Sequence, residues 1–158
     1  MKLKAVLAGV TFAGLAVTAA AQERPPYGPE VTLDQAKKIA AGANAESKKN
    51  GWRMAIAVVD NHGFLVYYER MDDTQIGSVD VAIDKAKAAA IYRRPTKAFE
   101  DGVGKGRNAL LGLRGATPIE GGIPIMVGGK VIGGLGVSGA NADQDGAAAA
   151  AGLKVLQP

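Results

Sequence analysis

The chain has 158 residues, a formal net charge of +4 and no cysteine. That length suits one domain with its own buried core. The missing thiols exclude disulfides, thiolate metal sites and cysteine nucleophiles. The three Phe, four Tyr and one Trp, with no run of Lys or Arg, make nucleic acid a poor match as a partner.

Residues 1–21 read as a secretory signal peptide. Lys2 and Lys4 form a positive start, Ala5 to Val17 is apolar, and Ala19-Ala20-Ala21 fits a small-residue cleavage site with Gln22 as the new first residue. The apolar stretch is too short to span a bilayer comfortably, and polar Gln22-Glu23-Arg24 with Pro25-Pro26 follow at once. The expected location is periplasmic or secreted, with no membrane span after cleavage. Loss of Lys2 and Lys4 lowers the net charge from +4 to +2, so the overall pI of 9.4 overstates the basic character of the mature chain.

Residues 22–31 form a proline-rich arm, and 32–158 a single domain. Thr32 with Gln35 is a capping box, and Ala36, Ile39, Ala40 and Ala43 recur on one helical face up to Gly51. Met54 to Asp60 and Phe64 to Arg70 are strands joined by the Asn61-His62-Gly63 turn. Ser78 is placed to cap a second helix that runs to about Tyr92. Pro95 stops it, and Thr96 is placed to cap a short third helix. Residues 101–118 are rich in glycine and without clear periodicity. Ile123 to Ser138 is a second hairpin, because Gly128-Gly129 supplies two turn residues able to reach positive φ. Asp143 to Leu156 is an alanine-dominated last helix.

Hairpins rather than βαβ units imply an antiparallel sheet packed by helices, an α+β fold. The alanine content suits close helix contacts, including contacts between subunits. Gly133, Gly134 and Gly136 weaken the last strand unless a second element or a flat ligand approaches its backbone.

Several motifs carry little weight. Gly134-x-Gly136-x-x-Gly139 matches a dinucleotide fingerprint but lies inside a hairpin strand rather than at a strand-to-helix turn. Gly104-x-Gly106-x-x-Ala109 lacks a preceding strand. Gly136-Val-Ser138-Gly-Ala140 resembles a nucleophile elbow without its final glycine, and the chain has a single histidine to serve as base. Asp80 and Asp84 share a helix face and could hold a hard cation weakly, although a solvated face is the plainer reading. Tyr92-Arg93-Arg94-Pro95-Thr96 is the richest segment. It sets a hydroxyl at a helix break beside two guanidiniums suited to carboxylates and a flat aromatic face. Capping alone would also explain the threonine.

Blocks matched in order carry a resemblance to the GlcG/HbpS family. They are Ala57-Val-Val-Asp60 with Gly63, Arg70-Met-Asp72, the Ser78 helix with Lys85-Ala86, Pro95-Thr96, Gly121-Gly-Ile-Pro124, and Gly133 to Gly139 with Asp145. Together they cover about Leu33 to Leu156. The resemblance implies a profilin-like antiparallel sheet of about five strands with helices on its faces, the fifth strand falling within 108–118. It also implies homo-oligomers and, in some members, haem binding with a role in haem uptake or beside a sensor kinase. Related domains occur in corrinoid-linked proteins of the PduO type.

In one haem-binding branch a threonine after a helix-ending proline ligates the iron, and Thr96 matches that position. Arg93-Arg94 before Pro95 departs from the small or polar residues expected there, and the Asp80/Asp84 pair only partly matches the acidic helix that some members use for iron. The reading is an exported, oligomeric haem-binding carrier, buffer or sensor accessory. Thr96 would be the iron ligand, and Tyr92, Arg93 and Arg94 would hold the rest of the haem. His62 is a second candidate for the iron, but Asn-His-Gly between strands is ordinary turn chemistry. Two alternatives remain. One is an enzyme using a small metabolite or a flavin- or corrinoid-like cofactor beside the Gly133–Gly139 strand. The other is a ligand-free accessory of a periplasmic dehydrogenase or sensor.

Overall fold

The computed structural model describes residues 23–156; the expected signal peptide lies outside them. Helix α1 (Leu33–Lys49) is opened by the expected capping box: Gln35 N donates to Thr32 Oγ1 at 3.2 Å, and Thr32 N donates to Gln35 Oε1 at 2.9 Å. Strands β1 (Ala55–Asp60) and β2 (Leu65–Arg70) form the first hairpin. Asp60 Oδ1 closes its turn by accepting from His62 N at 2.8 Å and Phe64 N at 2.9 Å.

Helix α2 (Ser78–Tyr92) follows, then α3 (Lys97–Gly104) and a 3₁₀ segment at Asn108–Gly112. Strands β3 (Gly122–Val127) and β4 (Lys130–Ser138) make the second hairpin, with Gly128 and Gly129 at φ 55° and 75° as its turn requires. Helix α4 (Ala142–Leu153) closes the domain; Gln144 Oε1 reaches back to accept from Asn141 N at 3.2 Å.

The four strands form one antiparallel sheet in the order β2-β1-β4-β3. Among the described residues there is no fifth strand: part of 108–118 is the 3₁₀ segment and the rest is irregular. Two other expectations of local structure change. Ser78 does not cap α2, which starts on Gly77 without a side-chain cap, and Thr96 makes no side-chain cap to α3. Arg93, left-handed at φ 52°, ends α2 before Pro95 is reached.

One face of the sheet carries the main core. Ile56, Val58, Leu135 and Val137 meet Ile39, Ala40 and Ala43 of α1 and Ala148 and Ala149 of α4. The other face is built from small residues, Ala55, Ala57 and Val59 against Ala82, Ala86 and Ala90 of α2. The β4 glycines explain that choice. A methyl group at Gly136 would stand 2.0 Å from the Ala82 carbonyl oxygen, and one at Gly134 would stand 2.2 Å from that of Ala86. Helix α2 lies directly on the strand backbone, so the element that closes on Gly134 and Gly136 is a helix. Ala148 and Ala149 of α4 likewise serve packing within the chain, whereas Ala147 and Ala150 are exposed. The arm is tied down too: Gly28 N donates to Val131 O at 2.9 Å, Val31 N to Ile132 O at 2.8 Å, and Val131 N to Pro26 O at 2.9 Å.

Candidate functional site

The α2–α3 junction turns on Thr96. Its amide donates to the Gly122 carbonyl at 2.9 Å, and its Oγ1 accepts from the Gly122 amide at 2.9 Å. The residue is fully buried. This two-way link fastens the junction to the start of β3, and Gly122 must be glycine because a methyl group there would sit 2.5 Å from Thr96 Cγ2. The hydroxyl therefore faces β3 rather than a cavity. Four surface clefts of about 220–350 Å3 are lined by none of Tyr92, Arg93, Arg94 or Thr96.

The neighbours of Thr96 behave differently. Tyr92 packs edge-on against Phe99 with 5.2 Å between ring centroids, and its hydroxyl donates to the Arg114 carbonyl. Arg93 donates to the Pro25 carbonyl at 3.2 Å and lies over the Tyr27 ring at 5.1 Å. Arg94 lies over Phe99 at 4.9 Å, and its buried Nε has no hydrogen-bond partner. Burial holds the Arg94 guanidinium below its usual pKa, and the charges of Arg24 and Arg107 push the same way. Arg24 and Arg107 thus act on Arg94, whose buried donor has no acceptor. That is a locale suited to a carboxylate or another anion.

Tested against haem, the two halves of the segment diverge. The arginines fit propionate groups, and exposed Ile91, Leu111 and Leu113 lie in or beside the same stretches of chain. Thr96 does not fit as an iron ligand while its hydroxyl is held by Gly122. Asp80 and Asp84 are exposed on α2. His62 is an exposed turn residue with Nδ1 3.3 Å from Glu30 Oε1. Its ring nitrogen and the carboxylates of Glu30 and Asp60 bring three potential donor atoms within 4.8 Å of one another.

A second constellation lies across Gly121-Gly122 from Thr96. Lys85 is fully buried on the inner face of α2, and its Nζ donates to Asp145 Oδ2 at 2.7 Å and to the Val137 carbonyl at 3.1 Å. Asp145 Oδ1 accepts from Ala140 N at 3.1 Å. Burial pushes the Asp145 carboxyl above its usual range, against the opposing pull of the Lys85 ammonium. Ser138 Oγ and Ser78 Oγ are 3.2 Å apart, and Gln75 Nε2 donates to Ser78 Oγ at 2.9 Å. These side chains line a cleft of about 350 Å3 beside the start of α2.

Lys85 and Asp145 belong to no recognised motif, although both stand in the blocks that carry the family resemblance. The signal was present: Ala82, Lys85, Ala86 and Ala89 recur at the spacing of one buried helical face. A lysine in an alanine stripe needs a buried counter-charge. Which acid supplies it was not legible, because the partner stands 60 residues away.

Comparison with known proteins follows the same outline. Residues 31–154 match the family model described as haem degrading protein HbpS-like. Protein GlcG of Escherichia coli is 40% identical over 111 residues, covering 69% of this chain and 83% of GlcG. A double mutant of Streptomyces reticuli HbpS superposes with a TM-score of 0.76 at 28% identity, over 97% of this chain and 99% of that one. The haem complex of PduOC shares the fold, with a TM-score of 0.73 at 23% identity over 81% of this chain and 96% of that one. The helix–hairpin order, the open antiparallel sheet and the matched residues together place this chain in the HbpS-like family.

Proposed function

We propose that the chain is an exported haem-binding protein that serves as a carrier, a buffer or the accessory of a sensor. Haem binding is supported at the level of the family, by its description and by a fold relative solved with haem. In this chain the carrying observation is Arg94, a guanidinium with a buried, unpartnered Nε among like charges. Arg93 and Arg94 would hold the propionates, with Tyr92 and the exposed leucines of 108–113 against the porphyrin. The bound group would supply a redox-active iron; the chain supplies the anion site and the apolar wall. Ligation by Thr96 would require its hydroxyl to leave the Gly122 amide, so the arginines and not Thr96 carry this reading.

Haemin titration followed by absorption tests it. A saturable Soret shift that weakens about tenfold or more in Arg94→Ala supports the reading, in line with a lost charge-assisted contact. No shift in the parent protein, or an unchanged titration in Arg94→Ala, overturns it. A Soret maximum that moves in Thr96→Val but not in Thr96→Ser would assign the threonine to the iron.

Export rests on residues 1–21, and protein recovered from the periplasm would begin at Gln22. Self-association is part of the same reading. It is supported by the sheet edge at β3, where Met126 and Val127 are exposed beside a cleft that reaches Leu153 and Leu156. A sensor or dehydrogenase partner in the periplasm would complete the role. The family description also favours haem breakdown; bleaching of bound haem with release of iron, when reductant and oxygen are added, would mark that activity.

A further inference from the structure

A buried ion pair is a poor means of stabilising a core, since well-packed apolar residues do as well or better. Lys85 and Asp145 therefore invite a donor-by-donor account of the cleft they line. The Asp145 carboxylate is committed: Oδ2 accepts from Lys85 and Oδ1 from Ala140 N. The Lys85 ammonium has three hydrogens, and two of them go to Asp145 and the Val137 carbonyl. Gln75 donates to Ser78 Oγ, and Ser78 and Ser138 share one hydrogen bond. Whichever serine donates in that bond, the other hydroxyl hydrogen has no protein acceptor among the described residues. Ser78, Ser138 and Lys85 are each at most 4% exposed. The buried wall of the cleft is thus left with one O–H and one N–H that have no protein acceptor among the described residues.

The rest of the lining narrows the ligand. Helix α2 begins here without a side-chain cap; Ser78 N and Val79 N already donate to the Gln75 and Ile76 carbonyls, so the helix start adds the positive end of its dipole but no free donor from these two amides. Val81, Ile119 and Ala140 supply an apolar side. Because Asp145 already neutralises Lys85, the cleft offers hydrogen-bond donors and a helix dipole rather than a net charge, and a dianion such as phosphate would be poorly balanced. A planar monoanion needing two donors is matched. Asp80 and Asp143 are exposed and do not line the cleft; water and salt screen them.

We infer that the cleft between the start of α2 and the end of β4 binds a small monocarboxylic acid with a short apolar body. The carboxylate sits on a serine hydroxyl and the Lys85 ammonium, and the apolar body lies against Val81 and Ile119. This site is separate from the arginine cluster, and it stands or falls independently of haem binding.

Titration of the full mature chain with propionate and butyrate, followed by amide NMR and thermal unfolding, tests the inference. Propionamide and inorganic phosphate serve as controls. Saturable shifts of the Ser78, Ser138 and Ala140 amides and a rise in Tm with the carboxylates alone are expected. Ser138→Ala, a small change that spares the ion pair, should weaken binding about tenfold, and Ala140→Leu should abolish it by filling the cleft. Equal responses to propionamide or phosphate overturn the inference. So does the absence of saturable shifts at these residues, or undiminished binding in both folded variants.

Discussion

Lys85 Nζ lies 2.7 Å from Asp145 Oδ2 with both side chains at most 3% exposed, and the bond ties α2 to the first turn of α4. Removing one member strands the other charge in the interior. Lys85→Met should cost ~3–5 kcal/mol, and Lys85→Met combined with Asp145→Asn should cost less than Lys85→Met alone. Urea unfolding of the parent, Lys85→Met, Asp145→Asn and the double variant checks this. A double variant as damaged as the two single changes summed would show that the two side chains act separately.

The β4 glycines leave no room for a side chain against α2. Gly136→Ala places a methyl group 2.0 Å from a helix carbonyl oxygen that cannot swing away. The expected loss is ~3 kcal/mol or more, at or beyond the upper end for overpacking. Gly104→Ala is the internal control, because nothing lies within 4 Å of a methyl group there and its backbone is not left-handed. It should leave Tm unchanged or raise it slightly by restricting the unfolded chain.

Glu120 gives a pH-dependent prediction. Burial raises its carboxyl above the usual glutamate value, and Glu100, Asp143 and Asp101 act in the same direction against Lys97. A carboxyl whose pKa is raised on folding favours the folded state fully only below its unfolded pKa; that contribution is lost as pH rises through the folded value. Glu120→Gln should therefore raise Tm at pH 7, and the advantage should vanish below about pH 4, where both side chains are neutral. Thermal melts across that range read the effect directly.

Thr96 is a structural clamp in the folded chain. Thr96→Val keeps the shape but leaves the buried Gly122 amide without its acceptor, at ~1–3 kcal/mol. Thr96→Ser should lose less, since the hydroxyl remains. Chemical denaturation of the two proteins, before any ligand is added, separates this role from one in ligand binding.

The elements that could be read in advance are those specified within a few residues. The Thr32–Gln35 box opens α1, Gly128-Gly129 turns the β3–β4 hairpin, and the first hairpin closes at Asn61-His62-Gly63. Segment 108–118 could not be read, because its glycines and leucines have no period and its 3₁₀ turns depend on neighbours. The leucine of Leu110, for example, packs where a side chain at Gly102 would otherwise stand. At the α2–α3 junction the residue types were legible, two arginines and a threonine beside a proline, but not their directions. Arg93 reaches the arm, Arg94 stays without a full set of partners, and Thr96 turns inward to β3.

Residue order and type determined the hairpins, the start of α1, the thiol-free interior and the family resemblance, because each of these depends on chemistry within one element or on identity alone. The tertiary structure decided what fills the glycine face of β4, which way the Thr96 hydroxyl points and which acid meets Lys85. Those outcomes join residues far apart in the chain, and burial and hydrogen-bond satisfaction select among partners only when the sheet and helices have come together.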